Sequence, residues 1–290
     1  MASTVEVAAM RRAIAVSALG LGTTSPNPPV GCVVLDAGGR VVGEGFHRRK
    51  GEAHAEGNAL AAAGAAARGG TAVVTLEPCN HVGRAPACRA LLIEAGIARV
   101  VVAVVDPTSR GEGGVAELRR AGVDVEVGVL ADEAELVLRP WLTALGRGTP
   151  FVTWAYSADA EDHRQVPALD VHGYDVVVGP DGQLREGTPG GHGDTFVLPG
   201  ELPQGSPEKV LQALYAAGVR SLLMLSARGL AELYANAGLV DEILVHLPGR
   251  AASSPGGELP SAGFRVSAVR RLEDHVLVRA QREDPPFRAR

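Results

Sequence analysis

A chain of 290 residues with 46% hydrophobic and 21% charged side chains has a globular composition, and its length exceeds the usual single-core size, so two domains are expected. The formal net charge of −5 leaves no broad basic surface for nucleic acid, and no apolar run is long enough to span a bilayer. Three cysteines are too few for a disulfide framework, which points to a reducing, cytoplasmic compartment.

Residues 5–19 place apolar side chains at helical spacing, and GLGTTSPNP then stops the helix with Gly and Pro. Glu6 interrupts what would be an apolar leader, so this stretch does not read as a signal peptide. VGCVVLD and RVVGEGF flank Ala37-Gly38-Gly39 as a β-hairpin. EAHAEGNALAAAGAAA predicts an Ala-rich helix with His54 and Glu56 at its start, followed by a strand in TAVVTLEP and a helix in PACRALLIEAGI that ends at Gly96. ARVVVAVVDP is an apolar strand of the kind found inside a sheet. GVAELRRAGVDVEVGVL adds a helix and a strand, and ADEAELVLRPWLTALGRG a last helix. A hairpin followed by alternating helices and strands implies a three-layer α/β/α sandwich over residues 1–146.

From Thr149 the texture changes. The stretch from Asp159 to Asp194 is polar and contains one short apolar strand, YDVVVG. Alternation then resumes with TFVLPG, SPEKVLQALYAAGV, SLLML, GLAELYANAG and DEILVHL, a second α/β domain over residues 147–290 with a loop-rich start. No internal repeat is evident. Lys50 and Lys209 are the only lysines among 28 basic residues, a bias that fits a GC-rich genome better than a binding surface.

The chemistry concentrates in HAEGNALAAA (54–63) and TLEPCNHVGRAPAC (75–88). Singly, a His before a helix is more often a cap and a Cys more often core filler. Together, His54-Ala55-Glu56, Pro78-Cys79 and Cys88 supply the set that a zinc nucleobase deaminase needs. Zn²⁺ held by His54, Cys79 and Cys88 would keep a fourth position for water and lower its pKa toward ~7. Glu56 would carry a proton to the ring nitrogen and the leaving ammonia. Cys32, inside the apolar VGCVV, reads as core. Eight residues separate Cys79 and Cys88, so NHVGRAPA must loop out and return, hanging His81 and Arg84 over a substrate pocket.

SPNPPVGC (25–32), GEGFHRRKGEAHAE (43–56), TLEPCNHVGRAPAC (75–88) and AGIARVVVAVVDP (95–107) resemble the deaminase half of the bifunctional riboflavin-biosynthesis deaminase/reductase, the RibD family, over residues 8–146. The resemblance implies a cytidine-deaminase-like fold and deamination of a diaminopyrimidinone carrying a phosphoribosylamino group, a small phosphorylated partner. It also implies a pocket lined by Asn27, His47, His81, Arg84 and Asp106. Arg48, Arg49 and Lys50 would suit a phosphate, or form a solvated face. Two departures, Thr108 where the family pattern reads Asp-Pro-Asn and Ala85-Pro86-Ala87 within the loop, leave open a different amino-heterocycle from specialised metabolism.

The second half of that family is an NADPH-dependent reductase of dihydrofolate-reductase-like fold, opening with a KxAxSLDG-like stretch. Here Trp154-Ala155-Tyr156-Ser157-Ala158-Asp159-Ala160 carries neither the Lys nor the Gly, and the Trp-Ile-Thr-Gly tract that should follow is missing. Ser226-Ala227-Arg228 replaces the cofactor-side Glu-Gly-Gly, and an arginine there would obstruct a pyrophosphate. GLVDEILVHLPG (238–249) keeps the resemblance. The expectation is a shortened dihydrofolate-reductase-like domain that folds without binding NADPH and supports a homo-oligomer, a dimer through this half. A non-catalytic scaffold is the alternative from another class, and the retained ligands and Glu56 argue against it.

Overall fold

The computed structural model describes residues 1–80, 86–109, 111–157, 169–179, 181–225, 229–248, 263–272 and 275–283. The chain divides into two compact units, Met1–Arg139 and Pro140–Arg290.

Helix α1 (Thr4–Ser17) opens on a capping box, in which Ser3 Oγ accepts the Glu6 N–H at 3.2 Å and the Glu6 carboxylate accepts the Ser3 N–H at 2.7 Å. Strands β1 (Gly31–Leu35) and β2 (Val41–Phe46) form the expected hairpin, its turn tied by Asp36 Oδ1 to the amides of Gly38 and Arg40. Helix α2 (Ala55–Ala63), strand β3 (Thr71–Leu76), helix α3 (Cys88–Glu94), strand β4 (Arg99–Val104), helix α4 (Gly113–Arg120), strand β5 (Asp124–Val127) and helix α5 (Ala131–Arg147) follow. The sheet order is β2-β1-β3-β4-β5, with β3, β4 and β5 parallel and β1 antiparallel to both its neighbours. β4 is therefore paired on both sides, as its apolar sequence predicts.

One face of this sheet packs Val33, Leu35, Val73, Val101 and Ala103 against Ala9, Met10 and Ala13 of α1 and Ala134 of α5. Side chains alternate along a strand, so Cys32 and Val34 point to the other face, where α2 lies on β1 and β2. Gly43 and Gly45 of β2 make that seat. A Cβ at Gly45 would stand 2.4 Å from the Ala59 nitrogen and 2.6 Å from the Ala55 oxygen, and one at Gly43 would stand 2.2 Å from the Ala59 oxygen. Glycine strand meets alanine helix, and the backbones approach as closely as they do because neither side offers bulk. This fixes the first turn of α2. Helix α3 packs in turn against α2 and α4.

The second unit contains β6 (Phe151–Ser157), β7 (Val176–Val178), β8 (Leu184–Glu186), α6 (Pro207–Ala216), β9 (Ser221–Leu225), α7 (Leu230–Asn236), β10 (Glu242–Pro248), β11 (Phe264–Arg271) and β12 (His275–Arg282). Its seven-stranded sheet runs β11-β12-β10-β6-β9-β7-β8. Val152, Trp154, Leu222, Met224, Ile243 and Val245 from the central strands pack with Leu211 and Leu214 of α6 and Tyr234 of α7.

Two features differ from the sequence expectation. TFVLPG does not resume a strand. A short 3-10 turn covers Gly193–Thr195, the Phe196 ring stacks on His192 at 4.0 Å, and Pro199 has no N–H for a ladder. The structure also adds β6, β8, β11 and β12. β11 is exposed at most positions, carries Arg265, Arg270 and Arg271, and shifts register between Val266 and Ala268, so its alternation is faint in the sequence. Among the described residues, no helix is long and apolar enough to cross a membrane.

Candidate metal centre and active site

Three donors converge beyond the C-terminal end of β3, the middle strand of the first unit's sheet. His54 is the N-cap of α2, in extended backbone and without a side-chain capping bond, which leaves its ring to point away from the helix. Cys79 follows the end of β3, and Cys88 is the first residue of α3. His54 Nδ1 lies 3.7 Å from Cys79 Sγ and 3.3 Å from Cys88 Sγ, and all three donor atoms fall within 4.8 Å of one another. Among the described residues this is the one such group of His, Cys, Asp and Glu donors. A tetrahedral zinc with the usual Zn–S and Zn–N bonds sets N···S edges of about 3.5 Å and S···S edges of about 3.8 Å. The residues present fit that ion.

The electrostatics fit it as well. A hydrogen bond from Cys88 is the largest influence on the Cys79 thiol. Burial opposes it, but His54 and the Cys88 backbone amide at 3.3 Å help to bring the thiol down to about 4. The same bond and burial push the Cys88 thiol up. His54 is raised, chiefly by its bond with Cys79. The two thiols are shifted in opposite directions by the hydrogen bond between them, and a divalent cation held by these donors would draw both sulfurs to thiolates.

Glu56, on the first turn of α2, is 3% exposed and stands beside this group without being one of its donors. Burial pushes its carboxyl up, its own backbone amide and His54 pull it back, and the charge on Cys79 raises it further. Cys32 is fully buried in β1, a free thiol outside the donor group.

Asn27 and His47 join the site. The His47 ring is buried and meets the His54 ring edge-on, with centroids 5.0 Å apart. Its Nδ1 is 3.1 Å from the Ala53 carbonyl and its Nε2 is 3.1 Å from the Asn27 amide nitrogen. That pattern assigns the hydrogen to Nδ1 and makes Nε2 an acceptor from Asn27. Burial is the main cause that lowers the ring's pKa, and a neutral ring is consistent with both contacts. Asp106 is engaged elsewhere: its N–H donates to Glu77 Oε2 at 3.2 Å, and its Oδ1 accepts the Thr108 N–H at 2.8 Å and hydroxyl at 2.7 Å. Arg48, Arg49 and Lys50 face solvent, with Arg49 paired to Glu52 at 3.3 Å. His81 and Arg84, like Ser226-Ala227-Arg228 and Ala158-Asp159-Ala160, lie outside the described residues.

The sequence reading missed Glu77, a buried carboxylate that accepts backbone amides from two segments. The available signal was its place, an acid directly after the apolar VVTL and before Pro78-Cys79.

Comparison with known proteins places this site in context. The family described as the cytidine and deoxycytidylate deaminase zinc-binding region matches residues 3–104. Riboflavin biosynthesis protein RibD of Escherichia coli K12 is 47% identical over 144 residues, 49% of this chain and 39% of that protein. The match thus spans about two-fifths of the length of this RibD relative. The diaminohydroxyphosphoribosylamino-pyrimidine deaminase of Buchnera aphidicola subsp. Schizaphis graminum is 44% identical over 142 residues, 49% of this chain. A crystal structure from Thermotoga maritima, described as a diaminohydroxyphosphoribosylaminopyrimidine deaminase and 5-amino-6-(5-phosphoribosylamino)uracil reductase, superimposes with a TM-score of 0.77 at 25% identity, covering 96% of this chain and 99% of that one. RibD of Acinetobacter baumannii gives the same TM-score of 0.77 and identity of 25%, with 97% and 99% covered. Both units are therefore matched, and the second has a reductase-like fold. Because the Buchnera deaminase is covered over 96% of its length at 44% identity, the chain belongs to the RibD family of riboflavin-biosynthesis deaminases.

Proposed function

We propose that this chain is a cytoplasmic, zinc-dependent hydrolytic deaminase of a phosphorylated diaminopyrimidine on the riboflavin pathway, and that its second unit does not act as a reductase. The observation that carries the deaminase reading is the convergence of His54, Cys79 and Cys88 beside the buried Glu56. The name borne by the Buchnera relative supports the substrate class. Free, unpaired Cys32, Cys79 and Cys88 suit a reducing compartment.

Zinc held by His54, Cys79 and Cys88 would supply Lewis acidity and bring the pKa of a water toward ~7. Overall, the amino-bearing ring carbon gains the oxygen of water and loses ammonia, so two protons have to travel to nitrogen. In this reading Glu56 moves both. Its carboxylate takes the first from the attacking water and hands it to the ring nitrogen. It then takes the second from the new hydroxyl and hands it to the departing amino group. Asn27 and the neutral His47 ring, in contact with each other and beside His54, would orient the heterocycle. The buried setting of Glu56 keeps bulk water from competing for the proton.

A second reading, deamination of a different amino-heterocycle, is favoured by one contact. Thr108 occupies Asp106 Oδ1 with both its N–H and its hydroxyl, which turns that carboxylate toward its own loop. The silent reductase is supported by β6, which reads FVTWAYS and carries no lysine.

The test is Glu56→Gln. We expect it to retain zinc and fold while ammonia release falls by a factor on the order of 10²–10⁴, because only proton transfer is removed. A variant that turns over at the wild-type rate would refute the role given to Glu56.

A further inference from the structure

Glu77 stands directly after β3, two residues before Cys79, and the deaminase chemistry above makes no use of it. Its carboxylate is 5% exposed, and a buried charge is expensive unless its lone pairs are satisfied. Both oxygens are satisfied by backbone. The Val115 N–H donates to Oε1 at 2.9 Å and the Asp106 N–H donates to Oε2 at 3.2 Å. The Glu77 N–H itself donates to the Val104 carbonyl at 2.9 Å. One side chain thus ties the exit of β3 to the turn after β4 and to the first turn of α4.

The surrounding backbone is shaped around this tie. A Cβ on Gly113 would stand 2.4 Å from Glu77 Oε1, and one on Gly114 would stand 1.8 Å from the Pro78 carbonyl oxygen. The start of α4 therefore lies backbone against backbone on the Pro78–Cys79 link. Helix α4 also packs on α3, whose first residue is the ligand Cys88. Solid packing does not back the tie on every side, because a cavity of about 420 Å³ opens beside it, lined by Glu77, Ser109, Gly113 and Val115 among others. Without its two amide bonds the Glu77–Cys79 link could relax into that space, and the 3.7 Å separation of Cys79 Sγ from His54 Nδ1 would not be held.

We propose that Glu77 is a positioning residue of the metal centre, one that sets the direction in which the chain leaves β3 and hence the place of the Cys79 sulfur. The inference rests on the metal-binding reading of His54, Cys79 and Cys88. Residues that orient metal ligands from behind are worth 10- to 100-fold in affinity.

The experiment uses the full chain and two variants. Glu77→Gln sets an amide NH₂ against one backbone N–H, and Glu77→Asp keeps the carboxylate but draws it one methylene back from the amides of Val115 and Asp106. Zinc affinity is measured by chelator competition, and the ligand-field spectrum is recorded on the Co²⁺-loaded protein. We expect both variants to fold by circular dichroism, to bind zinc on the order of 10-fold more weakly, and to show an altered Co²⁺–thiolate spectrum. A folded variant with wild-type affinity and spectrum overturns the proposal, and so does failure of both variants to fold, which would make Glu77 purely structural. Wild-type protein that takes up no zinc or Co²⁺ would refute the metal-binding reading itself, a result distinct from either.

Discussion

At the scale of single residues, the charged groups of the first unit divide into those that hold the fold and those that act. Arg99 shows the first kind. Its guanidinium reaches Glu6 at 2.6 Å and also pairs with Asp124 and Glu126, gathering the start of α1 and the strands β4 and β5 onto one cation. Burial pushes the Glu6 carboxyl up, but the bonds to Arg99 and to Ser3 more than offset it, so its pKa lies below the usual value. A carboxyl depressed in the folded state contributes stability that is present above its unfolded pKa and lost as pH falls through its folded one. Glu6→Gln should therefore cost about 1 kcal/mol at pH 7. That gap should begin to close as the pH falls past the ordinary Glu value of about 4.3 and should go on closing through the depressed folded value, below which both side chains are neutral. Urea unfolding of both proteins at several pH values checks this, and a gap that widens toward acid would contradict it. Cys79 and Glu56 are of the second kind, since burial and neighbouring donors shift them in ways that suit a metal and a proton relay rather than stability.

At the scale of elements, the site depends on how closely α2 sits on β2. His54 and Glu56 lie at the first turn of that helix, and Gly45 lies beneath it, paired across the hairpin with Cys32. Gly45→Ala would drive a methyl group into the backbone of Ala59 and Ala55. We expect a loss of 1–3 kcal/mol, seen as several degrees in Tm, together with weaker zinc binding. An unchanged Tm and unchanged metal affinity would show that α2 is seated by something other than the glycine pair. Much of this level was readable in the sequence. The apolar runs around Ala37-Gly38-Gly39, the Ala-rich helix after His54 and the stop at Gly96 all carry their own local signals, and the structure has each of them. The seat itself was not readable, because Gly43 and Gly45 look like weak strand residues until the helix that covers them is known. Glu77 escaped for a related reason: its two partners, the amides of Asp106 and Val115, are distant in sequence and carry no side-chain signature. In the second unit β11 was passed over because exposure on most of its length leaves no alternation to detect.

At the scale of the whole molecule, the two units differ in what they keep. The first keeps the donors and Glu56 together. The second keeps a reductase-like fold, with Trp154 buried among Val152, Met224 and Ile243 in its core. A sheet of this kind can persist on packing alone, because its hydrophobic core does not depend on the residues that would contact a cofactor. The central claim is a deaminase whose second unit has fallen silent. The measurement that tests it most directly is ammonia release by the zinc-loaded protein from the phosphoribosylamino diaminopyrimidinone, with NADPH present and its absorbance followed in the same cuvette. The account predicts ammonia without NADPH oxidation. Ammonia accompanied by stoichiometric loss of NADPH absorbance would contradict the silent reductase, and no ammonia from protein shown to hold zinc would contradict the proposed substrate.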